Sequence, residues 1–341
     1  MELNMNHYME FVQKLKTCIP LDIIYIDEPM CDHTNFKLGG PADVLVIPTT
    51  KSELECVLHL ARKDDIPCFI IGNGSNIVVR DGGIRGLVIK LDHLKEIHAQ
   101  GNYITAESGA ELKTLSEIAL EKNLTGLEFA CGIPGSLGGA VFMNAGAYDG
   151  EMSYVIDSVL VITQEGEVKE LTKDQLELGY RTSSVKKNGH IVVEARLKLE
   201  TGEFDRILEK MQDLTRRRED KQPLEYPSAG STFKRPEGHF AGKLIQDAGL
   251  RGFYVRGAQV SEKHCGFVIN KDHAKAQDVL DLIAHIQKII YEKDGIQLET
   301  EVLIVGEDLN DVAQSDVDEL SDQRSKELAS ADEPKNVREI S

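Results

Sequence analysis

CGIPGSLGGAVFMNAGAYDG, residues 131–150, sets six glycines and one proline around the apolar trio Val141, Phe142 and Met143. So many glycines argue against a helix interior, where each costs about 1 kcal/mol relative to alanine. The apolar trio is equally out of place in a solvated linker. A second glycine cluster, IGNGSN at 71–76, lies between the apolar runs CFII and IVV and reads as a tight turn joining two strands.

Neither cluster fits the common phosphate motifs. A dinucleotide fingerprint starting at Gly72 fails at its third glycine, which is Ile77, and an apolar strand follows where a helix is required. Asp92 stands at the distance of a ribose-binding acid, but without that helix the spacing reads as coincidence. GHFAGKL, 238–244, is one residue short of a Walker loop and ends on Leu244 instead of a hydroxyl. No G-x-S-x-G elbow occurs. Backbone chemistry remains: glycines permit positive φ and let successive N–H groups close around an anion. Ser75 and Asn76 add donors to the first loop, Pro134 fixes a turn in the second, and Gly135, Gly138 and Gly139 keep side chains away from a flat ligand. Either loop alone also reads as a plain turn between strands; both together favour a large phosphorylated cofactor.

The 341 residues suffice for two or three domains, and a net charge of −18 argues against nucleic-acid binding. From residue 307 the tail carries 11 acidic against four basic residues and few aromatics, so it reads as disordered or loosely helical. No apolar run approaches the about 18 residues of a membrane span. The start, MELNMNHYMEFVQ, lacks the features of a signal peptide, so a cytoplasmic location is expected. Cys18, Cys31, Cys56, Cys68, Cys131 and Cys265 are scattered without CxxC pairs or nearby histidine clusters, and read as free thiols with no metal site.

Along the chain, a helix is expected over about residues 6–17, then the strand DVLVIPTT and the helix SELECVLHLARKDD with Ser52 and Glu55 as its capping box. Short strands dominate up to about residue 200, interrupted by the helix ELKTLSEIALEKN. The helix EFDRILEKMQDLTRRRED leads to a third region with a short helix at FAGKLIQDAG, the strand CGFVIN, a long amphipathic helix around AQDVLDLIAHIQKIIYEKDG and the strand EVLIV. The class is mixed α+β with three subdomains.

Seven motifs in order, KLGGPAD, IGNGSNIVV, EFACGIPGSLGGAVFMNAGAY, YRTSS, AGSTFKRP, GAQVSEKHCGFVIN and LETEV, resemble the UDP-N-acetylenolpyruvoylglucosamine reductase family, also called UDP-N-acetylmuramate dehydrogenases. The resemblance covers about residues 30–306. It implies a two-subdomain FAD-binding fold of the vanillyl-alcohol oxidase type and a C-terminal α+β substrate-binding domain. The expected divisions are 1–80, completed by 300–306, for the first FAD subdomain; 81–217 for the second; 218–306 for substrate; and 307–341 for the tail. It also implies that NADPH reduces non-covalent FAD, which then reduces UDP-N-acetylglucosamine enolpyruvate to UDP-N-acetylmuramate for peptidoglycan precursors. No nucleic acid, membrane insertion or obligatory protein partner is expected.

By that resemblance Gly72, Asn73, Gly74, Ser75 and Asn76 carry the FAD pyrophosphate. Gly132, Ile133, Pro134, Gly135, Ser136, Gly138, Gly139, Asn144, Ala145, Gly146 and Arg218 line the cofactor from the other side. Reducing an enol ether conjugated to a carboxylate requires charge stabilisation on the carboxylate side and a proton for the adjacent carbon. Arg181 matches the family's guanidinium for the first task, Ser231 its proton donor, and Glu301 its catalytic glutamate. On residue type alone these three read as a surface ion pair, a turn serine and an edge-strand carboxylate. Lys221 and His264 match substrate contacts; Lys234 and Tyr148 are further candidates.

The chain departs from the family at Leu303, where an arginine is common, and at Arg235, where asparagine is common. It also lacks the tyrosine-bearing insertion of one branch. Two other readings remain: another FAD-dependent oxidoreductase of the same fold acting on a hydroxy acid or sugar, and a non-catalytic nucleotide-binding protein.

Overall fold

The computed structural model describes residues 2–309, with side chains from residue 8. Most of the expected acidic tail, from residue 310 onwards, lies outside the described residues. Helix α1 (Glu2–Leu15) begins before the expected residue 6 and is followed by β1 (Ile24–Pro29) and β2 (Pro41–Val46). Helix α2 (Lys51–Lys63), β3 (Cys68–Ile71), β4 (Ile77–Val79) and β5 (Ile84–Lys90) come next.

The first sheet has the order β1-β2-β5-β3, parallel except for the β1–β2 pair. Central strand β5 carries the buried apolar run Leu87, Val88 and Ile89 because both of its faces are covered there. Leu87 and Ile89 pack with Phe11 and Leu15 of α1 and Val57 and Ala61 of α2, while Val88 belongs to a cluster with Met30, Leu45 and Val79.

Two local expectations are corrected here. The capping box of α2 is formed by Thr50 and Glu53, not Ser52 and Glu55: Thr50 Oγ1 accepts from the Glu53 N–H, and Glu53 accepts from the Thr50 N–H. Thr50 still has extended backbone, whereas Ser52 is already inside the helix and cannot act as its cap. Cys18 and Cys56 are bonded as a disulfide with Cα atoms 5.6 Å apart, linking the segment after α1 to α2. Tertiary packing brings them together, and their spacing carried no cue.

The second sheet is antiparallel throughout: 168–172, 156–162, 191–198, 103–107, 97–100. One rung runs Leu171, Val159, Ala195, Ala106, Ile97 across all five strands. The buried side chains of this rung belong to one core that also takes in α3 (Leu112–Glu121). Strand 191–198 alternates buried and exposed positions towards its end, as expected for a sheet with one covered face.

The opening glycine stretch contains a helix after all, α4 (Leu137–Met143), with Gly138 and Gly139 inside it. The reason is close approach. The Leu137 and Gly138 N–H groups donate to the carbonyls of Ala110 and Ser108 at 2.8 and 2.7 Å. A Cβ on Gly138 would stand 2.9 Å from that of Ser108. Tertiary packing overrides the low helix propensity of glycine. The short helices α5 (Met152–Val155) and α6 (Ser184–Asn188) follow.

Helix α7 (Phe204–Lys221) buries Ile207, Met211 and Leu214 along one stripe against Cys131. Beyond it, α8 (Ala241–Asp247) and α9 (Ala276–Asp294) pack in one core with the three-stranded sheet 254–255, 258–260, 268–270. The free N–H groups of Ala276 and Gln277 at the start of α9 both donate to Asp81 at 2.9 Å, so a residue next to β4 caps a helix of the third core. Strand 303–305 returns to run parallel to β4, with Leu303 opposite Ile77.

Candidate active site

The two glycine loops close on each other. A Cβ on Gly72 would stand 2.3 Å from Ser136 Oγ, and one on Gly135 would stand 3.4 Å from Ser75 Oγ. Gly74, at φ +62°, passes His33 so closely that a Cβ would stand 2.2 Å from its carbonyl oxygen. The absence of side chains in these loops therefore first serves the contact of one loop with the other and with segment 33–34.

Beside the loop at Asn73 opens a polar cleft of about 590 Å³, lined among others by His33, Lys90, Asp92, Lys95 and Glu111. Buried Asp92 Oδ1 has no hydrogen-bond partner, nor does Ser108 Oγ next to the lining residue Gly109. An unpartnered buried oxygen at a cleft wall, as at Asp92, is costly unless a ligand engages it. The volume is that of a small-molecule or cofactor site. Asp92, set aside on sequence grounds, thus lies in a wall of the cleft.

In the second glycine stretch, Gly132 abuts Arg218, whose Cδ would be 2.9 Å from a Cβ at that position. Burial pulls the Arg218 pKa down, and no carboxylate among the described residues pairs with it. A half-buried guanidinium without a carboxylate is a ready anion partner. Tyr148 is 43% exposed, at φ +56°, and its hydroxyl donates to the Leu214 carbonyl at 3.3 Å; burial pushes its pKa up. Ile133, Ala145 and Gly146 are half-buried and Pro134 is exposed, while Asn144 is buried and holds Glu151 and the Gly179 carbonyl through its amide.

Arg181 sits in a two-residue turn closed by reciprocal hydrogen bonds between Gly179 and Thr182. Its φ is +55°, a left-handed conformation uncommon for a residue with a side chain, and such strain gathers at functional sites. Arg181 Nε donates to Glu301 Oε1 at 2.5 Å, with both side chains largely buried. Its Nη2 donates to the Gly146 carbonyl at 3.3 Å, which joins this pair to the glycine stretch.

Burial pushes the Glu301 carboxyl above the ordinary carboxylate range, while Arg181 and then Lys234 and Lys186 pull it back without cancelling the rise. The Glu301 N–H donates to the Thr232 carbonyl at 2.9 Å, which sets Glu301 beside the segment of half-buried Ser231. The Asn76 amide donates to the Glu301 carbonyl at 3.2 Å, and Leu303 N–H donates back to the Asn76 carbonyl. One residue of the first glycine loop thus holds the Glu301 main chain in place.

The other candidates lie around this centre. Lys234 pairs with Glu299 at 2.8 Å. Lys221 ends α7, exposed and close enough to lower the pKa of His264, which burial pushes down more strongly. His264 Nδ1 accepts from the Gly266 N–H at 3.1 Å, leaving Nε2 to carry the proton of the neutral ring. Arg235 lies over the Phe240 ring at 3.9 Å, and its N–H donates to the Tyr180 hydroxyl, so this departure from the family pattern has local partners.

Sequence reasoning missed Lys186, whose ammonium lies 3.4 Å from the Arg181 carbonyl. It also missed Tyr180, whose ring lies beside the Arg181 guanidinium. Nothing in VKKNG separates inward Lys186 from Lys187, which pairs with Glu177 on the surface.

Two family models match the chain: an FAD binding domain over residues 42–172, and a UDP-N-acetylenolpyruvoylglucosamine reductase C-terminal domain over 222–305. A UDP-N-acetylenolpyruvoylglucosamine reductase of Clostridium perfringens strain 13 is 59% identical over 304 residues, 89% of this chain and 100% of its own length. One of Clostridium botulinum strain Hall is 55% identical over 306 residues, 90% of this chain and 100% of its own. The crystal structure of the Thermus caldophilus UDP-N-acetylenolpyruvylglucosamine reductase matches with a TM-score of 0.72 at 34% identity, over 83% of this chain and 98% of that one. Among the described residues, no helix is long and apolar enough to cross a membrane.

Proposed function

The chain belongs to the UDP-N-acetylenolpyruvoylglucosamine reductase family, and from that premise we propose that it reduces UDP-N-acetylglucosamine enolpyruvate to UDP-N-acetylmuramate, with FAD as cofactor and NADPH as reductant. The observation that carries this reading is the Arg181–Glu301 pair beside the Ser231 segment, tied to the first glycine loop through Asn76. In this reading the described regions divide into a first FAD-binding part, 1–80 with 300–306, a second at 81–217, and a substrate-binding part at 218–306.

The residues present fit FAD. Gly72 to Asn76 would supply close-packed amides for the pyrophosphate, the cleft with its unpartnered Asp92 oxygen would supply a polar partner, and Arg218 beside Gly132, paired with no carboxylate among the described residues, would meet an anionic group of the cofactor. Residues 132–136, Gly138, Gly139 and 144–146 would line its other side. When bound, FAD supplies the hydride for the enolpyruvyl double bond.

The chain's own groups handle charge and proton. Arg181 holds the substrate carboxylate as negative charge builds on it. Glu301, its pKa raised by burial, lies on the same side against Arg181, where its protonated form would donate a hydrogen bond to the substrate or its carboxyl would orient the proton-delivering group. Ser231 gives its proton to the adjacent carbon; a weak acid would suffice only with that carbon strongly basic and held within hydrogen-bond reach. Lys221, Lys234, His264 and Tyr148 hold the UDP-sugar. A cytoplasmic place in peptidoglycan precursor synthesis follows from that substrate.

The test is product analysis. Purified holoprotein incubated with NADPH and the enolpyruvyl substrate should yield UDP-N-acetylmuramate, heavier than the substrate by two hydrogens. NADPH consumption with unchanged substrate would reject the reading.

A further inference from the structure

Lys186 projects from the first turn of α6, where Ser183 caps the helix by accepting the Lys186 N–H at 3.1 Å. Its ammonium meets the Arg181 carbonyl at 3.4 Å and the Met143 sulfur at 3.5 Å, and lies 5.8 Å from the centre of the Phe142 ring. Turn 179–182, α4 and α6 thus converge on one nitrogen.

The charges around it are unequal. Arg181 pairs with Glu301 and Lys234 with Glu299, whereas Lys186 pairs with no carboxylate among the described residues. The cluster therefore holds one positive charge in excess when Glu301 is ionised, and two when Glu301 is protonated. Half-burying an ammonium without a carboxylate partner is unfavourable, and its retention there calls for an anion that arrives later.

We propose that Lys186 is a positioning residue for the reaction: it clamps the main chain of Arg181 in its left-handed turn and sets an uncompensated positive charge beside Glu301, readying the pair for the substrate's carboxylate. This inference rests on the function proposed above. The electrostatics agree with the geometry. Burial first, and then Lys234, lower the Lys186 pKa, and Glu301 raises it. In turn Lys186, with Arg181 and Lys234, lowers that of Glu301.

The experiment compares holoenzymes of wild type, Lys186→Met and Lys186→Arg, each supplied with NADPH and UDP-N-acetylglucosamine enolpyruvate across a pH series. Wild type is assayed first; if it does not reduce this substrate, the proposed function fails and the role of Lys186 falls with it. With an active wild type, K186M should raise KM for the enolpyruvyl substrate by about 10- to 100-fold. Removing a cation that favours the Glu301 carboxylate should also move the Glu301-dependent limb of the pH profile to higher pH. K186R should restore both values towards wild type. An unchanged KM together with an unmoved pH limb in K186M would overturn the proposal. If K186M fails to hold FAD, Lys186→Gln keeps a donor for the Arg181 carbonyl without the charge. The same two readouts then decide, and wild-type values in K186Q would overturn it.

Discussion

The Asn76 side-chain amide donates to the main-chain carbonyl of Glu301 at 3.2 Å, although 225 positions separate the two residues. The first glycine loop and the catalytic candidate on the returning chain are thereby parts of one construction. Removing the amide should cost about 1 kcal/mol of stability and loosen Glu301 against Arg181. Asn76→Ala is expected to lower the melting temperature of the holoprotein and to slow reoxidation of the flavin by substrate. Wild-type values for both would contradict the tie.

Ser231 lies on the segment that binds the Glu301 main chain, through Thr232. If its hydroxyl gives the proton, Ser231→Ala keeps flavin reduction by NADPH largely intact and abolishes flavin reoxidation by the enolpyruvyl substrate. Rapid-mixing absorbance separates the two half-reactions. Normal turnover in that variant would remove Ser231 from the mechanism.

Glu301 provides a pH test. Burial raises its pKa despite Arg181, so the protonated form persists to higher pH than for an ordinary carboxyl. The proposed working form is protonated, and the sign follows: substrate-driven reoxidation should decline as pH rises through the Glu301 pKa. Glu301→Gln, which keeps a donor and an acceptor for Arg181 but cannot titrate, should lose that limb while retaining measurable activity. A rate that rises with pH through this range would assign the work to the ionised form instead.

Neighbouring glycines in α4 should respond in opposite ways to alanine. At Gly138 the new Cβ meets Ser108 at 2.9 Å, and overpacking of about 1–3 kcal/mol outweighs the gain in helix propensity. At Gly139 the nearest atom, Ser136 Oγ, is 3.7 Å away, so the propensity gain of up to about 1 kcal/mol is free to appear. Denaturant unfolding without added FAD, so that no ligand contact at Gly139 enters, should show Gly138→Ala destabilised and Gly139→Ala neutral or stabilised. Equal effects would show that helix contact with Ser108 is not the constraint.

Residues 131–150 show where sequence reading reached and where it stopped. Their glycines were read as clearing space for a cofactor, and the structure adds a second reason for them, the close contact of Gly138 with Ser108. The helix across Gly138 was invisible because its support comes from the carbonyls of Ser108 and Ala110, a tertiary feature. The mixed α+β class and the long helix at 276–294 were legible from apolar periodicity. The Cys18–Cys56 bond was not, since two scattered thiols carry no spacing signal. In the site, Arg181 and Glu301 stood out only through resemblance, and the structure joins them at 2.5 Å. Lys186 had no signal, because the direction of one lysine in a KK pair depends on a helix cap and on the turn it faces.

The central claim is tested most directly by following flavin absorbance in the wild-type holoprotein under anaerobic rapid mixing. NADPH should first bleach the flavin, and UDP-N-acetylglucosamine enolpyruvate, added next, should restore its absorbance while UDP-N-acetylmuramate forms. Flavin that stays bleached in the presence of that substrate, and recovers only with oxygen, would contradict the account.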